Sequence, residues 1–226
     1  MVDIHYLGHA AFLLDIKGLK ILIDPFLEGN PFSPVTKDEV EADYILVTHG
    51  HDDHLGDTLE IAKRTGAVII SNSEIGEWLE GQGLNTHSQH LGGGYQYPFG
   101  YVKLTNALHG SSLPDGSYGG NPAGFLITTN EGKRLYFAGD TGLFGDMRLI
   151  GEEGLDFAAL PIGDNYTMGP DDALRAVKLL NPCHVMPIHY NTFDIIRQDA
   201  NAWAKRVAAE TSAQVSLLKP GDHFSL

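Results

Sequence analysis

Thr48-His49-Gly50-His51-Asp52-Asp53-His54 follows directly on the apolar run Tyr44-Ile45-Leu46-Val47 and spells H-x-H-x-D-H. Four candidate metal ligands thus leave the end of one short apolar stretch within six positions. Imidazole and carboxylate together form the ligand set preferred by zinc and its first-row neighbours. A solvated loop is built instead from Gly, Ser, Asn and Pro. The stretch therefore predicts a strand that ends in a metal site, with His49, His51, Asp53 and His54 as ligands.

Outward from that motif the chain has a duplicated layout. Residues 12–24 and 125–140 each read strand, Gly-containing turn, strand, aspartate, closing on Asp24 and on Asp140. Each is followed by another apolar run, at 42–47 and 155–160. Helices are expected at about 57–65, 73–81, 170–180 and 198–210, before a closing strand at 215–218. The third has Pro170 at its first position, Asp171 and Asp172 in its first turn, and Asn181-Pro182 as its stop. Strands alternating with helices in two copies predict two sheets packed face to face with helices outside.

Three further candidate ligands also sit where an apolar run ends: His109 after 101–108, Asp140 after 135–138 and His189 after 185–188. Ligand sites of α/β folds gather at such strand ends. Seven side chains would then meet on one edge of the sheets. His9, in Gly8-His9-Ala10, stays open between a pocket contact or leaving-group acid and a structural histidine. His5, His87, His90, His184 and His223 have no ligand-like spacing. Leu91-Gly92-Gly93-Gly94-Tyr95 lacks the Lys-Ser/Thr ending of a phosphate loop and reads as a turn between strands. The loop 113–122 follows His109 and is placed at the rim of the site.

At 226 residues and 42% hydrophobic content the chain suits one domain, 1–226, with a sizeable core and no linker. The single cysteine, Cys183, rules out an internal disulfide and is expected to be buried at the entry to a strand. No apolar stretch approaches the roughly 20 residues that span a bilayer, and the N-terminal residues lack a basic region and apolar core. A cytoplasmic protein without membrane contact is expected. The net charge is −14, and its 15 basic residues form no stripe, which argues against nucleic acid as a partner. A small-molecule substrate is the expectation, and a homo-oligomer is compatible with the sequence.

The H-x-H-x-D-H signature, the isolated His109, Gly139-Asp140-Thr141 and Pro187-Ile188-His189-Tyr190 resemble the metallo-β-lactamase superfamily over nearly the whole chain. Leu7-Gly8-His9-Ala10-Ala11-Phe12 and Leu160-Pro161-Ile162-Gly163 leading to Thr167-Met168-Gly169-Pro170 look like its compact metal-dependent hydrolases related to L-ascorbate-6-phosphate lactonase. The resemblance implies an α/β fold, the four-layer αβ/βα sandwich. It implies His49, His51 and His109 on one metal, Asp53, His54 and His189 on a second, and Asp140 bridging them. A bridging aspartate marks the superfamily's phosphoester, thioester and lactone hydrolases and is usually lacking in its β-lactam openers.

Two divalent ions, zinc or manganese first and iron or nickel next, are the implied cofactors. Such a pair shares and activates a water for attack on a carbonyl or phosphoryl centre, with Asp53 and Asp140 as the catalytic carboxylates. The leading expectation is a hydrolase of a small ester or lactone, phosphorylated or not. The alternatives are a metal-dependent phosphodiesterase and, from another class, a metal-binding or di-iron redox protein without hydrolytic activity.

Overall fold

In the computed structural model, which describes residues 1–226, the chain opens as an antiparallel meander of β1 (Val2–Gly8), β2 (Ala11–Ile16) and β3 (Leu19–Ile23). Lys17 and Gly18 turn the second hairpin with φ of 54° and 87°, the two positive values of a type I′ turn that suits the right-handed strand twist. From β3 onward the direction changes. β4 (Tyr44–Leu46), α1 (Asp52–Leu55), α2 (Thr58–Thr65), β5 (Val68–Asn72), α3 (Ser73–Glu80) and β6 (Thr86–Gln89) follow, and the three strands add in parallel beyond β3.

The second half repeats the plan. β7 (Gly94–Tyr97), β8 (Gly100–Asn106), β9 (Ala123–Thr129) and β10 (Arg134–Phe137) are antiparallel neighbours. Next come α4 (Met147–Gly151), β11 (Phe157–Pro161), α5 (Pro170–Leu180), β12 (His184–Ile188), α6 (Ala200–Glu210) and β13 (Gln214–Val215), with the strands parallel from β10 on. β14 (His223–Ser225) returns to pair with β1.

The sheets run β14-β1-β2-β3-β4-β5-β6 and β7-β8-β9-β10-β11-β12-β13. Laid side by side, they have the same succession of antiparallel and parallel neighbours at every position, so β1 matches β8 and β3 matches β10. The expected duplication is present in the topology, and with it the four-layer α/β sandwich.

Alternation within each strand decides which side chains meet. Ile4, Phe12, Leu14 and Ile21 from one sheet close on Val102, Phe125, Phe137 and Phe157 from the other, all buried. The Phe12 ring lies 5.1 Å from Phe137, edge to face. The outer face of the second sheet is covered by α5 and α6 through Leu174, Val177, Leu180 and Trp203, and that of the first by α2 and α3 through Ile61, Ile75 and Leu79.

α5 begins at Pro170 and ends before a left-handed Asn181, as the sequence predicts. α3 and α6 are capped by Asn72 and Asp199, whose side chains accept from Ile75 N–H and Ala202 N–H.

Three expectations need correction. The strand expected at 215–218 ends at Val215, and the closing strand is β14, a short polar segment recruited by pairing with β1 rather than by its own pattern. Cys183 is exposed, because the preceding Pro182 takes the buried place at the strand entry. The Gly-rich stretch turns only to Gly93, and Gly94 already opens β7. No helix is long and apolar enough to cross a membrane.

Candidate metal centre

Four strand ends deliver the seven predicted ligands to one place. His49 lies three residues beyond β4, His109 three beyond β8, Asp140 three beyond β10, and His189 immediately follows β12. The backbone bends sharply to aim them, with His189 in the left-handed region at φ 53°. Asp53 and His54 belong to the one-turn helix α1, which the periodicity of so short a segment does not announce. Gly50 between the first two histidines leaves room for a neighbouring loop: a Cβ there would stand 2.7 Å from the Ser112 carbonyl oxygen.

Three imidazoles form one cluster. His51 Nδ1 lies 2.9 Å from His49 Nε2 and 3.3 Å from His109 Nε2. A second cluster contains Asp53, His54 and His189 together with His9, with His189 Nε2 3.5 Å from Asp53 Oδ2. Asp140 reaches both clusters: Oδ2 lies 3.1 Å from His189 Nε2 and 3.5 Å from His109 Nε2, and Oδ1 lies 3.2 Å from His54 Nε2. All seven are brought together as expected. Asp52, inside the motif, turns out to solvent.

His54 Nε2, Asp140 Oδ1 and both ring nitrogens of His189 are buried without a hydrogen-bond partner. Orphaned polar atoms in a folded interior carry a desolvation cost of about 1–3 kcal/mol each. A cation that accepts the lone pairs of His54 Nε2, Asp140 Oδ1 and His189 Nε2 removes that cost for these three, and the mixed imidazole and carboxylate set fits zinc or its neighbours.

Behind the clustered side chains stands a layer the motif does not disclose. The Asp24 carboxylate accepts from Thr48 N–H at 2.8 Å, from the Thr48 hydroxyl at 2.7 Å and from His54 Nδ1 at 2.8 Å. With its proton given to Asp24, the Thr48 hydroxyl accepts from His49 Nδ1 at 3.0 Å. Both rings are thereby held as Nδ1–H tautomers with Nε2 facing the cluster, the usual way an outer shell presents histidine to a metal.

Sequence reasoning missed Asp24 as a site residue, although the duplicated pattern already placed it level with Asp140. For His9 the sequence alone leaves both a pocket role and a structural role open. This residue is buried, left-handed at φ 57°, and packs its ring 4.1 Å from that of His189. The rim loop is tied down, since Ser111 Oγ accepts from Gly50 N–H, and Asn72 Nδ2 donates to the Gly119 and Asn121 carbonyls.

The charges sort accordingly. Burial opposes the charged form of His54, but Asp140 and Asp24 outweigh it and hold its pKa well above the ordinary histidine value. The same contest at His189, with Asp140 and Asp53 as the carboxylates, ends at about 9. Burial disfavours charge on Asp140, yet His189 and His54 hold its carboxyl well below the usual range. Asp53 is likewise held low against burial by His189 and His9. His49 and His9 go the other way, driven first by burial, with His9 at about 4.

A family model described as Beta-lactamase superfamily domain matches residues 20–190. A UPF0173 metal-dependent hydrolase of Thermus thermophilus is 52% identical over 226 residues, covering all of both chains. One from Heliobacterium modesticaldum is 49% identical, covering 100% of this chain and 98% of its own. Among solved structures, the metallo hydrolase Igni18 of the archaeon Ignicoccus hospitalis matches with a TM-score of 0.90 and 39% identity, covering 100% of this chain and 99% of that one. The chain belongs to the β-lactamase superfamily, and within it to the UPF0173 metal-dependent hydrolases.

Proposed function

We propose that the protein is a two-ion hydrolase acting on a small ester or lactone. The observation that carries this reading is Asp140, whose two oxygens face ligands of both clusters. His49, His51 and His109 hold one ion, Asp53, His54 and His189 hold the other, and Asp140 lies between them. When bound, a pair of divalent cations supplies an activated water and an electrophilic seat for the scissile oxygen.

The protein's own residues do the rest. Asp24 and Thr48 orient His54 and His49. Asp53 stays ionised and is a weak base, so it serves first as a ligand. Zinc or manganese as the ions and a cytoplasmic setting go with this reading.

Two features favour a neutral ester or lactone over a phosphodiester. Phe26 and Phe193 stand 5.5 and 5.6 Å from the His9 ring and 6.3 Å from each other, with Phe193 partly exposed, a wall suited to an apolar substituent. Phosphate recognition wants Arg or Lys at hand, yet Asp53 and Asp140 have only histidines as ionic partners. Arg134 opens β10, whose other end leads to Asp140, Lys133 just before it binds Asp156, and Arg197 pairs with Asp194.

The test is turnover of p-nitrophenyl acetate, γ-butyrolactone and bis-p-nitrophenyl phosphate by zinc- and manganese-loaded protein beside Asp140→Ala. Ester or lactone cleavage lost in the variant is expected. Turnover of the phosphodiester alone would replace this reading by a phosphodiesterase. Inactivity on all three with two ions bound would sink the ester and lactone assignment.

A further inference from the structure

β1 and β8 occupy equivalent places in the two sheets, and each leads to a histidine at the same edge: His9 directly after β1, and His109 three residues after β8. β3 and β10 do the same for Asp24 and Asp140. The second copy supplies candidate ligands from these two positions. The first copy's Asp24 stands one hydrogen bond further out, on His54 Nδ1. His9 holds the corresponding place beside Asp53.

Its ring bridges two partners. Nε2 lies 3.2 Å from Asp53 Oδ2, and Nδ1 lies 2.8 Å from the Thr192 hydroxyl. An ionised carboxylate only accepts, so the nitrogen facing Asp53 carries the hydrogen, and its lone pair is not free for a metal. The Thr192 hydroxyl then donates to Nδ1 and locks that tautomer. The same Asp53 Oδ2 lies 3.5 Å from His189 Nε2, so the bond to His9 fixes the oxygen that faces the second cluster.

The backbone is held as firmly. His9 is left-handed at φ 57°, a conformation that costs a non-glycine residue about 1 kcal/mol or more and persists where the surroundings impose it. Here its carbonyl accepts from His189 N–H at 2.9 Å and from the Tyr6 hydroxyl at 3.2 Å. The ring's contact with His189 completes the anchoring.

We infer that His9 is a positioning residue for the second ion: it donates from Nε2 to Asp53, under the control of Thr192, and so aims the Asp53 carboxylate at the site without being a ligand. The inference rests on the two-ion reading above.

The test is stepwise cobalt titration of metal-free protein, followed by visible absorption and by competition with a chelator, for wild type, His9→Ala, His9→Gln and Thr192→Val. Wild type should take two ions. His9→Ala should keep the first and bind the second 10- to 100-fold more weakly, the usual scale for loss of an outer-shell partner. Glutamine carries an N–H to the position of Nε2 and should restore most of that affinity, whereas alanine meets the same backbone strain without the donor. Thr192→Val, a change outside the ligand set that keeps the His9 ring in place, should weaken the second ion by a smaller factor, which keeps the assignment testable if the His9 variants fold poorly.

Second-ion affinity unchanged in His9→Ala would overturn the positioning role alone. A His9→Gln protein as weak as His9→Ala, with an altered second-site cobalt spectrum, would make His9 a ligand and overturn it too. A wild type that takes one ion would overturn the two-ion reading and this inference with it.

Discussion

Asp24 and Asp140 approach opposite nitrogens of one imidazole: Asp24 Oδ2 is 2.8 Å from His54 Nδ1, and Asp140 Oδ1 is 3.2 Å from Nε2. The two aspartates follow equivalent strands of a duplicated unit. His54 is therefore clamped between the Asp24 carboxylate behind it and the Asp140 carboxylate inside the cluster, with its tautomer fixed from behind.

Asp24→Ala removes the partner of His54 and strands Thr48 N–H in the interior. Second-ion affinity should fall about 10- to 100-fold, and stability should drop by about 1–3 kcal/mol for the unpaired donors. Chelator competition and thermal melts of the metal-free protein check the two effects separately. Unchanged metal affinity would show that the Asp24 bond does not orient His54.

Metal loading should expel protons. His189 in the metal-free protein stays charged up to about pH 9 because Asp140 and Asp53 outweigh its burial, while a metal accepts only the neutral ring. Below that pH, proton and metal compete, so affinity rises with pH by about tenfold per unit for each proton released, and the His189 contribution levels off beyond 9. By the same sign, the stability that this raised pKa gives the metal-free fold is complete below about pH 6.5 and is lost as pH climbs through 9. Calorimetric titration in buffers of different ionisation heat counts the protons, and a count of zero at pH 7 would refute the charged state of His189.

Gly50→Ala places a methyl group 2.7 Å from the Ser112 carbonyl oxygen and 3.2 Å from Leu113 Cδ2. The loop must shift, at a cost of about 1–3 kcal/mol. Because Gly50 joins His49 to His51, the ion held with His109 should weaken more than the one at His189. Metal stoichiometry and melting temperature of the variant measure this, and equal weakening of both ions would contradict it.

Phe193→Ala shortens the apolar wall beside His9. With an aryl or long-chain ester as substrate, KM should rise about fivefold, the factor for ~1 kcal/mol of lost contact, with kcat nearly unchanged. Steady-state kinetics of p-nitrophenyl butyrate against acetate would expose the effect. An equal KM rise for both esters would remove Phe193 from the substituent pocket.

The candidate ligands were legible because His49, His109, Asp140 and His189 each follow an apolar strand, and a strand reveals its own end. What surrounds them was not. Asp24 closes a strand just as Asp140 does, but whether such a carboxylate touches the ions or a ligand's far nitrogen depends on cross-chain distances. His9 owes its place to Asp53, Thr192 and His189, all remote in sequence, and a bond across 183 residues leaves no local trace. Helix α1, at four residues, is too short to set a period. Strand β14 exists because β1 offers it an edge, and Cys183 is exposed because its neighbour Pro182 took the inner position.

That edge pairing has a consequence for the chain as a string. Val2 and Leu226 exchange two backbone hydrogen bonds, Val2 N–H to the Leu226 carbonyl at 3.1 Å and the reverse at 2.9 Å. Residues 2 and 226 are therefore side by side, and a short linker across this seam would join them without moving a strand. Opened instead at the turn 91–93, between the two repeats, a chain so joined would read second half before first, with His49, His109, Asp140 and His189 still beyond the ends of their own strands.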